Sequence, residues 1–247
     1  MELNLILLLI STFVKALALI AISIFLLKKW LRQGQRYATD FPLLMALTFI
    51  LYALGKFVDM YLYYRFSETP NLAELNDPDA FMFAKIRFMI SPIMVVIPYF
   101  ILMMVIWFEG RPKLQLGLGS VWAILSIGAI LSAQTLPQLY LLNSLIAMVP
   151  ILLSIVTYLI INHQRKLPEI NCLVLAIGWS LFVIAQFLRT SWLALGSGVW
   201  GLAWVGELVE LGTLIIIAIG FTIPASYDKE RKNKAVVLSE HMDKTLA

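Results

Sequence analysis

Seven apolar runs follow one another along this chain, and each is long enough, or nearly so, to cross a bilayer as a helix of about 20 residues. They lie at about 4–27, 41–64, 81–108, 115–133, 138–162, 169–194 and 200–223. A water-soluble core has no means of burying so many unbroken stretches. Composition agrees: 61% of the 247 residues are hydrophobic and 14% are charged, against about a quarter charged in soluble domains. The sequence therefore predicts an all-α integral membrane protein. Its fold class is a seven-transmembrane helix bundle over 1–224, followed by a short basic tail over 225–247.

Polar punctuation separates the spans: KKWLRQGQRYATD, FSETPNLAELNDPD, EGRPK, AQTLP, NHQRKLP and LGSG. The fourth span, rich in glycine and serine, is the least clearly marked of the seven. Pro42, Pro137, Pro168 and Pro224 mark span ends. Pro92, Pro98 and Pro150 fall inside spans and predict kinks in the third and fifth helices, where neighbouring helices can satisfy the freed carbonyls.

Most of the 19 lysines and arginines sit on one side of this layout. Lys28, Lys29, Arg32 and Arg36 follow the first span. Arg111 and Lys113 follow the third, and Arg165 and Lys166 the fifth. Lys229, Arg231, Lys232, Lys234 and Lys244 lie in the tail. The opposite loops lack them apart from Arg65, and the 67–79 loop carries Glu68, Glu74, Asp77 and Asp79 instead. The positive-inside rule then predicts an N-terminus outside and a cytoplasmic C-terminus. The first span has no basic n-region and is followed by KKW, so it reads as a retained anchor rather than a cleavable signal peptide. A multi-pass plasma-membrane location is expected.

Several ionisable residues interrupt the spans: Lys15, Lys56, Asp59, Lys85, Arg87, Arg189, Glu207 and Glu210. Such residues are costly in hydrocarbon and usually face a bundle interior or a wet cavity. The predicted topology puts them in the outer half, or near the midplane, of spans one, two, three, six and seven. Glu207 and Glu210 share a helix face by their i, i+3 spacing. At 1.5 Å per residue they lie roughly 10 and 15 Å below the outer boundary. Lys15 is the depth-matched cation for Glu210. Lys56 and Arg189 are candidates for Glu207, and Asp59 stands one turn from Lys56. Lys85, Arg87 and Arg65 are expected to snorkel to the interface. Spans four and five carry no charge and are expected to face lipid or a partner.

Tyr61, Tyr63, Tyr64, Tyr140, Trp192, Trp200 and Trp204 fall near the outer boundary, as an aromatic belt would. Trp204 also shares the face of Glu207 and is expected to line the same region.

Enzyme chemistry finds no motif. The two histidines, His163 and His241, lie in an inner loop and the tail. There is no H-E-x-x-H and no convergent metal-ligand set, so no metal is expected. Residues 200–223 contain no lysine, which removes a Schiff-base cofactor from the seventh span. No cofactor is expected. Cys172 is the only cysteine, so no internal disulfide forms. The tail is too short for a catalytic output domain, and nothing points to a nucleic acid. Its basic start suits anionic lipid.

The expectation is a sensor or receptor-like module. It would bind a small ligand from the outside in a polar cavity formed by Lys15, Lys56, Asp59, Arg189, Trp204, Glu207 and Glu210, and signal through a separate cytoplasmic or membrane protein partner. Two alternatives stand beside it. One is a proton- or cation-coupled transporter or channel using Glu207 and Glu210. The other is a structural subunit of a membrane complex whose ion pairs only fix the bundle.

Overall fold

A computed structural model describes residues 3–34, 40–65, 78–91, 100, 103–104, 106–165, 167, 170–194, 201–225 and 227. The described residues form seven helices and no strand: α1 (Leu3–Leu31), α2 (Phe41–Arg65), α3 (Pro78–Ser91), α4 (Pro112–Ser132), α5 (Leu136–Gln164), α6 (Cys172–Ala194) and α7 (Ala203–Thr222). Residues 103–104 and 106–107 are helical as well. Pro92, Pro98, Arg36, Lys166, Pro168, the 66–77 stretch and the tail from 228 onward lie outside the described residues.

Helix boundaries follow local chemistry. Pro112 opens α4 at a position where a missing N–H costs nothing. Thr135 caps α5 by accepting from Gln138 N–H at 3.4 Å. The same helix runs on through Pro150 and ends at Arg165, which takes the left-handed conformation at φ 53°. The expected sixth span begins at 169, but α6 starts at Cys172. The reason is Asn171, whose side-chain oxygen accepts from Val174 N–H at 3.2 Å and caps the helix. Likewise α1 runs four residues past the expected 27. Its last turn carries Lys28 and Lys29, and Lys29 donates to the Phe221 carbonyl at 3.0 Å, satisfying an open carbonyl at the end of α7.

Five helices are long and apolar enough to cross a membrane: Leu3–Leu31, Pro42–Arg65, Pro112–Ser132, Leu141–Gln164 and Ala203–Thr222. They suit a multi-pass membrane protein. The 14 residues of α3 are too few to span, and the expected third span continues into residues that are not described. Large apolar side chains point away from the bundle, among them Leu116 and Ile124, each 70% exposed. A contiguous apolar exterior is a liability in water and an ordinary surface in lipid.

Each helix packs on its neighbour in sequence, and α7 closes the ring against α1. α3 also reaches α5. Neighbours in sequence run antiparallel, so the first and seventh helices must run parallel. Lys15 meets Glu207 and Lys29 meets Phe221 at the same sequence offset of 192, which places α1 and α7 in parallel register. Between α1 and α2, Ser23 donates to the Ala46 carbonyl at 2.7 Å. Helices α6 and α7 approach closely at Gly178 and Gly220. A Cβ on Gly178 would sit 2.7 Å from the Ile217 side chain, and one on Gly220 would sit 2.8 Å from Leu175. Small residues at a helix contact permit this approach. The main apolar core includes Leu19, Met45, Phe49, Tyr158, Leu175, Leu214 and Ile217.

Candidate functional site

Five of the six charged residues buried among the described ones lie on one stripe of each of three helices. On α2, Tyr52, Gly55, Lys56 and Asp59 recur at helical spacing and share a face. On α1, Lys15 belongs to the buried row that includes Leu8, Thr12 and Leu19. On α7, Glu207 and Glu210 belong to the buried row with Ala203, Gly206 and Thr213. Parallel packing of α1 on α7, and antiparallel packing of α1 on α2, bring the three stripes to one level.

The result is an alternating chain of six charges. Lys15 Nζ lies 2.6 Å from Glu210 Oε2 and 2.8 Å from Glu207 Oε2. Lys56 Nζ lies 3.1 Å from Glu207 Oε1 and 3.1 Å from Asp59 Oδ2. Arg87, from α3, grips Asp59 in a fork: Nε donates to Oδ1 at 2.6 Å and Nη2 to Oδ2 at 3.1 Å. The order is Glu210, Lys15, Glu207, Lys56, Asp59, Arg87. Three anions alternate with three cations, so the formal charge of the group is zero. Each of the four inner members touches two partners of opposite sign.

Burial is nearly complete. Lys15 and Lys56 are 0% exposed, and Glu207 and Glu210 are 1%. Only the Asp59–Arg87 end reaches 8%. An isolated ion here would face a desolvation penalty of several kcal/mol, which only close partners can offset. The charges therefore form an occluded cluster, where sequence suggested an open polar cavity.

Tyr52 closes the Glu210 end. Its hydroxyl donates to Glu210 Oε1, and its ring lies beneath both ammonium groups, 5.4 Å from Lys15 Nζ and 5.6 Å from Lys56 Nζ. Sequence reasoning missed Tyr52, although it stands four residues before Lys56 on the same face. Gly55 was missed as well. Its bare Cα lets the guanidinium cross α2, since a Cβ there would meet Arg87 Cζ at 3.2 Å.

One expectation of snorkelling needs correction. Arg87 does not reach outward but is buried and paired, because Asp59 and the notch at Gly55 offer it a bidentate partner. Lys85 donates to the Leu131 and Ala133 carbonyls, each at 3.0 Å, and so caps the end of α4, with its ammonium 5.0 Å from the Phe81 ring. Arg65, at the last turn of α2, is exposed.

Of the other anticipated residues, Arg189 lies within α6 but its side chain is outside the described set, as are those of Tyr140, Trp192 and Trp200. Glu207 takes Lys15 and Lys56 as its cations. Trp204 lies one turn before Glu207 and packs on a small cluster of Leu5, Leu8, Tyr63 and Ala203. Its indole Nε1 is buried without a hydrogen-bond partner, and so is Thr12 Oγ1 on α1. Tyr61 and Tyr64 are exposed while Tyr63 is buried, so the aromatic side chains of α2 divide between exterior and core.

The arrangement has definite chemical limits. Its carboxylates are already neutralised by ammonium and guanidinium groups, so a metal ion would have to displace one of them. What the cluster offers is exchange: Glu207 is shared by two lysines, and Lys15 by two glutamates. One contact in the chain can open without leaving a bare buried charge. No family model matches the chain, and no curated protein or solved structure is similar to it.

Proposed function

We propose that this chain is a seven-span sensor module of the plasma membrane, with its N-terminus outside and its C-terminus in the cytoplasm. On this reading a small ligand binds in the outer half of the bundle, beside the charged chain. Binding repartitions the shared ion pairs, shifts α1 and α7 against α2, and is read by a separate protein at the inner loops or tail.

One observation favours binding over passage. On the inner side of the charged chain, the described core is mostly apolar, with Leu19, Met45, Phe49, Leu214 and Ile217, and its polar groups on α1, α2 and α7 are the hydroxyls of Ser23, Thr48 and Thr213 rather than ionisable side chains. A transported ion would need a polar path there, and intramembrane ionisable groups mark such paths where they exist. The doubly partnered Glu207 and Lys15 supply the second requirement of a sensor. A switch needs two arrangements of similar free energy that a ligand can bias. Exchanging partners within a neutral chain costs far less than breaking it.

The test is proton and cation flux in proteoliposomes of known orientation, comparing the native chain with Glu207→Gln/Glu210→Gln. The sensor reading expects no flux that depends on the glutamates. Glutamate-dependent flux would make this chain a transporter or channel and end the sensor reading.

A further inference from the structure

The turn into α4 and the end of α5 come together at the end of the bundle opposite Asp59 and Arg87. Trp107 ties them: its indole Nε1 donates to Thr157 Oγ1 at 2.7 Å, eight residues, or about 12 Å of helix, before Arg165. Just past Trp107 the chain reverses. Gly110 takes φ 76°, and the Phe108 carbonyl accepts from Arg111 N–H at 3.0 Å and from Gln115 Nε2 at 2.8 Å. Arg111 and Lys113 follow this fastened turn, and both are exposed. On α5, Arg165 ends the helix with its own N–H bonded to the Asn162 and Ile161 carbonyls. Its guanidinium lies 5.9 Å from the centroid of the Tyr227 ring, and the Tyr227 hydroxyl donates to the Leu167 carbonyl at 2.9 Å. Arg165 is thus held in place while exposed to solvent.

Three cations stand here against one exposed carboxylate, Glu109. Arg111 and Lys113 enter no ion pair among the described residues. The flank below them is apolar. Trp107 is 46% exposed, and Leu114 and Leu159 are exposed on the adjoining turns of α4 and α5. We propose that this corner binds an acidic phospholipid. Arg111, Lys113 and Arg165 take its phosphate oxygens, and its acyl chains lie along Trp107, Leu114 and Leu159.

The pairing of the two surfaces selects the ligand. Guanidinium groups match phosphate oxygens in a fork, and an ammonium adds a point charge. An amphipathic indole suits the level where headgroup meets hydrocarbon. A soluble phosphate or an acidic protein segment would use the cations and leave the apolar flank to other molecules. Only a molecule that joins phosphate to hydrocarbon covers both. Lys28 and Arg32 are exposed at the end of α1, but they stand on a single helix that packs on α2 and α7. They lack the second element that makes the corner. The site lies apart from the six-charge chain and holds whether that chain serves a sensor or not.

The experiment uses the full chain in neutral detergent at about 0.15 M salt, where exposed charges farther apart than about 8 Å are largely screened. Native mass spectrometry counts bound lipid. Probes are phosphatidylglycerol and phosphatidylcholine with the same acyl chains. Glycerol 3-phosphate, inorganic phosphate and polyglutamate are the soluble competitors. The expected result is one saturable phosphatidylglycerol site about thirtyfold tighter than phosphatidylcholine, on the order of fivefold for each of the two positive charges left after Glu109 is counted. Arg111→Gln/Lys113→Gln should abolish the preference. Glu109→Gln should strengthen it about fivefold, a gain that a damaged fold would not give. Lys28→Gln/Arg32→Gln removes as much charge from the same end and should leave the preference in place.

Four results would overturn the site. Equal affinity for the two lipids would remove headgroup recognition. Equal loss in Lys28→Gln/Arg32→Gln would reduce it to a diffuse attraction of the whole basic end. Glycerol 3-phosphate or inorganic phosphate binding as tightly as the lipid would make it a soluble-anion site. Polyglutamate displacing the lipid at lower concentration would assign the corner to an acidic protein. The sensor reading is untouched by all four, since it fails on glutamate-dependent flux.

Discussion

Two sectors of the ring are built differently. Helix α7 buries nine residues, both glutamates among them, and packs on α1 and α6. Helix α4 buries three, Gly119, Ser126 and Ile130, and presents Leu116, Val121, Ile124 and Leu125 to the exterior. In lipid there is no hydrophobic force to draw apolar helices together, so association rests on close packing and on polar contacts. The α7–α1–α2 sector has both. Glycines bring α6 onto α7, and six charges join α7, α1, α2 and α3. Helix α4 has slighter ties: the short 133–135 connection to α5, the Lys85 cap, a stacked Phe100–Trp122 pair at 5.1 Å and a small cluster around Ile130 and Leu139, whereas α5 sends Tyr158 and Ile161 into the main core. The difference puts the buried ion pairs and the close glycine contacts on one side and leaves α4 as an outward surface.

Removing one charge should therefore have the largest effect. Glu207→Gln leaves one buried cation in excess, since Lys15 keeps Glu210 and Lys56 must share Asp59 with Arg87. Breaking a buried pair in this way costs about 3–5 kcal/mol. Lys56→Met should destabilise comparably by leaving an anion in excess. The double variant Lys56→Met/Glu207→Gln divides the chain into two neutral pairs, Lys15–Glu210 and Asp59–Arg87. It is expected to recover most of the loss, with strong non-additivity between the neighbours. Reversible unfolding in mixed detergent micelles measures all three. A Glu207→Gln protein within about 1 kcal/mol of native would erase the contrast between the sectors, because that is the scale of an exposed ion pair.

An intermediate effect is expected at the glycine contact. Gly220→Ala introduces a Cβ 2.8 Å from the Leu175 side chain and 3.1 Å from its backbone nitrogen. The backbone cannot step aside as a flexible side chain would, so α6 and α7 must separate. Overpacking of this kind costs about 1–3 kcal/mol. Gly212→Ala, on the same helix with nothing within 4 Å of the new Cβ, is the control. It should be neutral or slightly stabilising, since alanine is the better helix former by about 1 kcal/mol. Equal losses at both positions would mean that the glycines matter to α7 itself rather than to its contact with α6.

How much of this was legible in the sequence differs between the two sectors as well. Long apolar runs located six of the helices within a few residues, because the length needed to cross hydrocarbon is a strong constraint; the third expected span, 81–108, runs past the end of α3 at Ser91 into residues that are not described. Helix ends were less legible. Asn171 as a cap and Arg165 as a left-handed terminus depend on a local hydrogen bond and a backbone angle that composition does not encode. For the charges, rarity of ionisable residues in apolar runs marked Lys15, Lys56, Asp59, Glu207 and Glu210, and depth alone suggested partners. Which carboxylate meets which lysine was not legible, since the parallel offset of α1 on α7 is a tertiary quantity. Arg87 was misjudged for the same reason. Its position near a helix end suits snorkelling, and only the notch at Gly55 on another helix lets it turn inward. Tyr52 looked like any aromatic residue until Glu210 came within reach of its hydroxyl.

The smallest effect is expected on α4. Ile124 is 70% exposed, and its neighbour Leu125 is 59% exposed. In a bilayer the side chain of Ile124 exchanges contacts with acyl chains, and removing most of it opens no cavity in the bundle. Ile124→Ala should then shift the unfolding free energy by no more than about 0.5 kcal/mol, as for surface substitutions away from special features. The measurement is most informative when made twice, in dilute detergent and in native-like lipid at higher protein density. A null effect in both keeps α4 as a lipid-facing helix. A loss above 2 kcal/mol that appears only at high density would mean that Ile124 is buried against another protein, and truncation of a packed aliphatic side chain costs this much or more. The weakly tied sector would then be the face through which the bundle assembles, and its few internal contacts would be the consequence of a surface completed from outside.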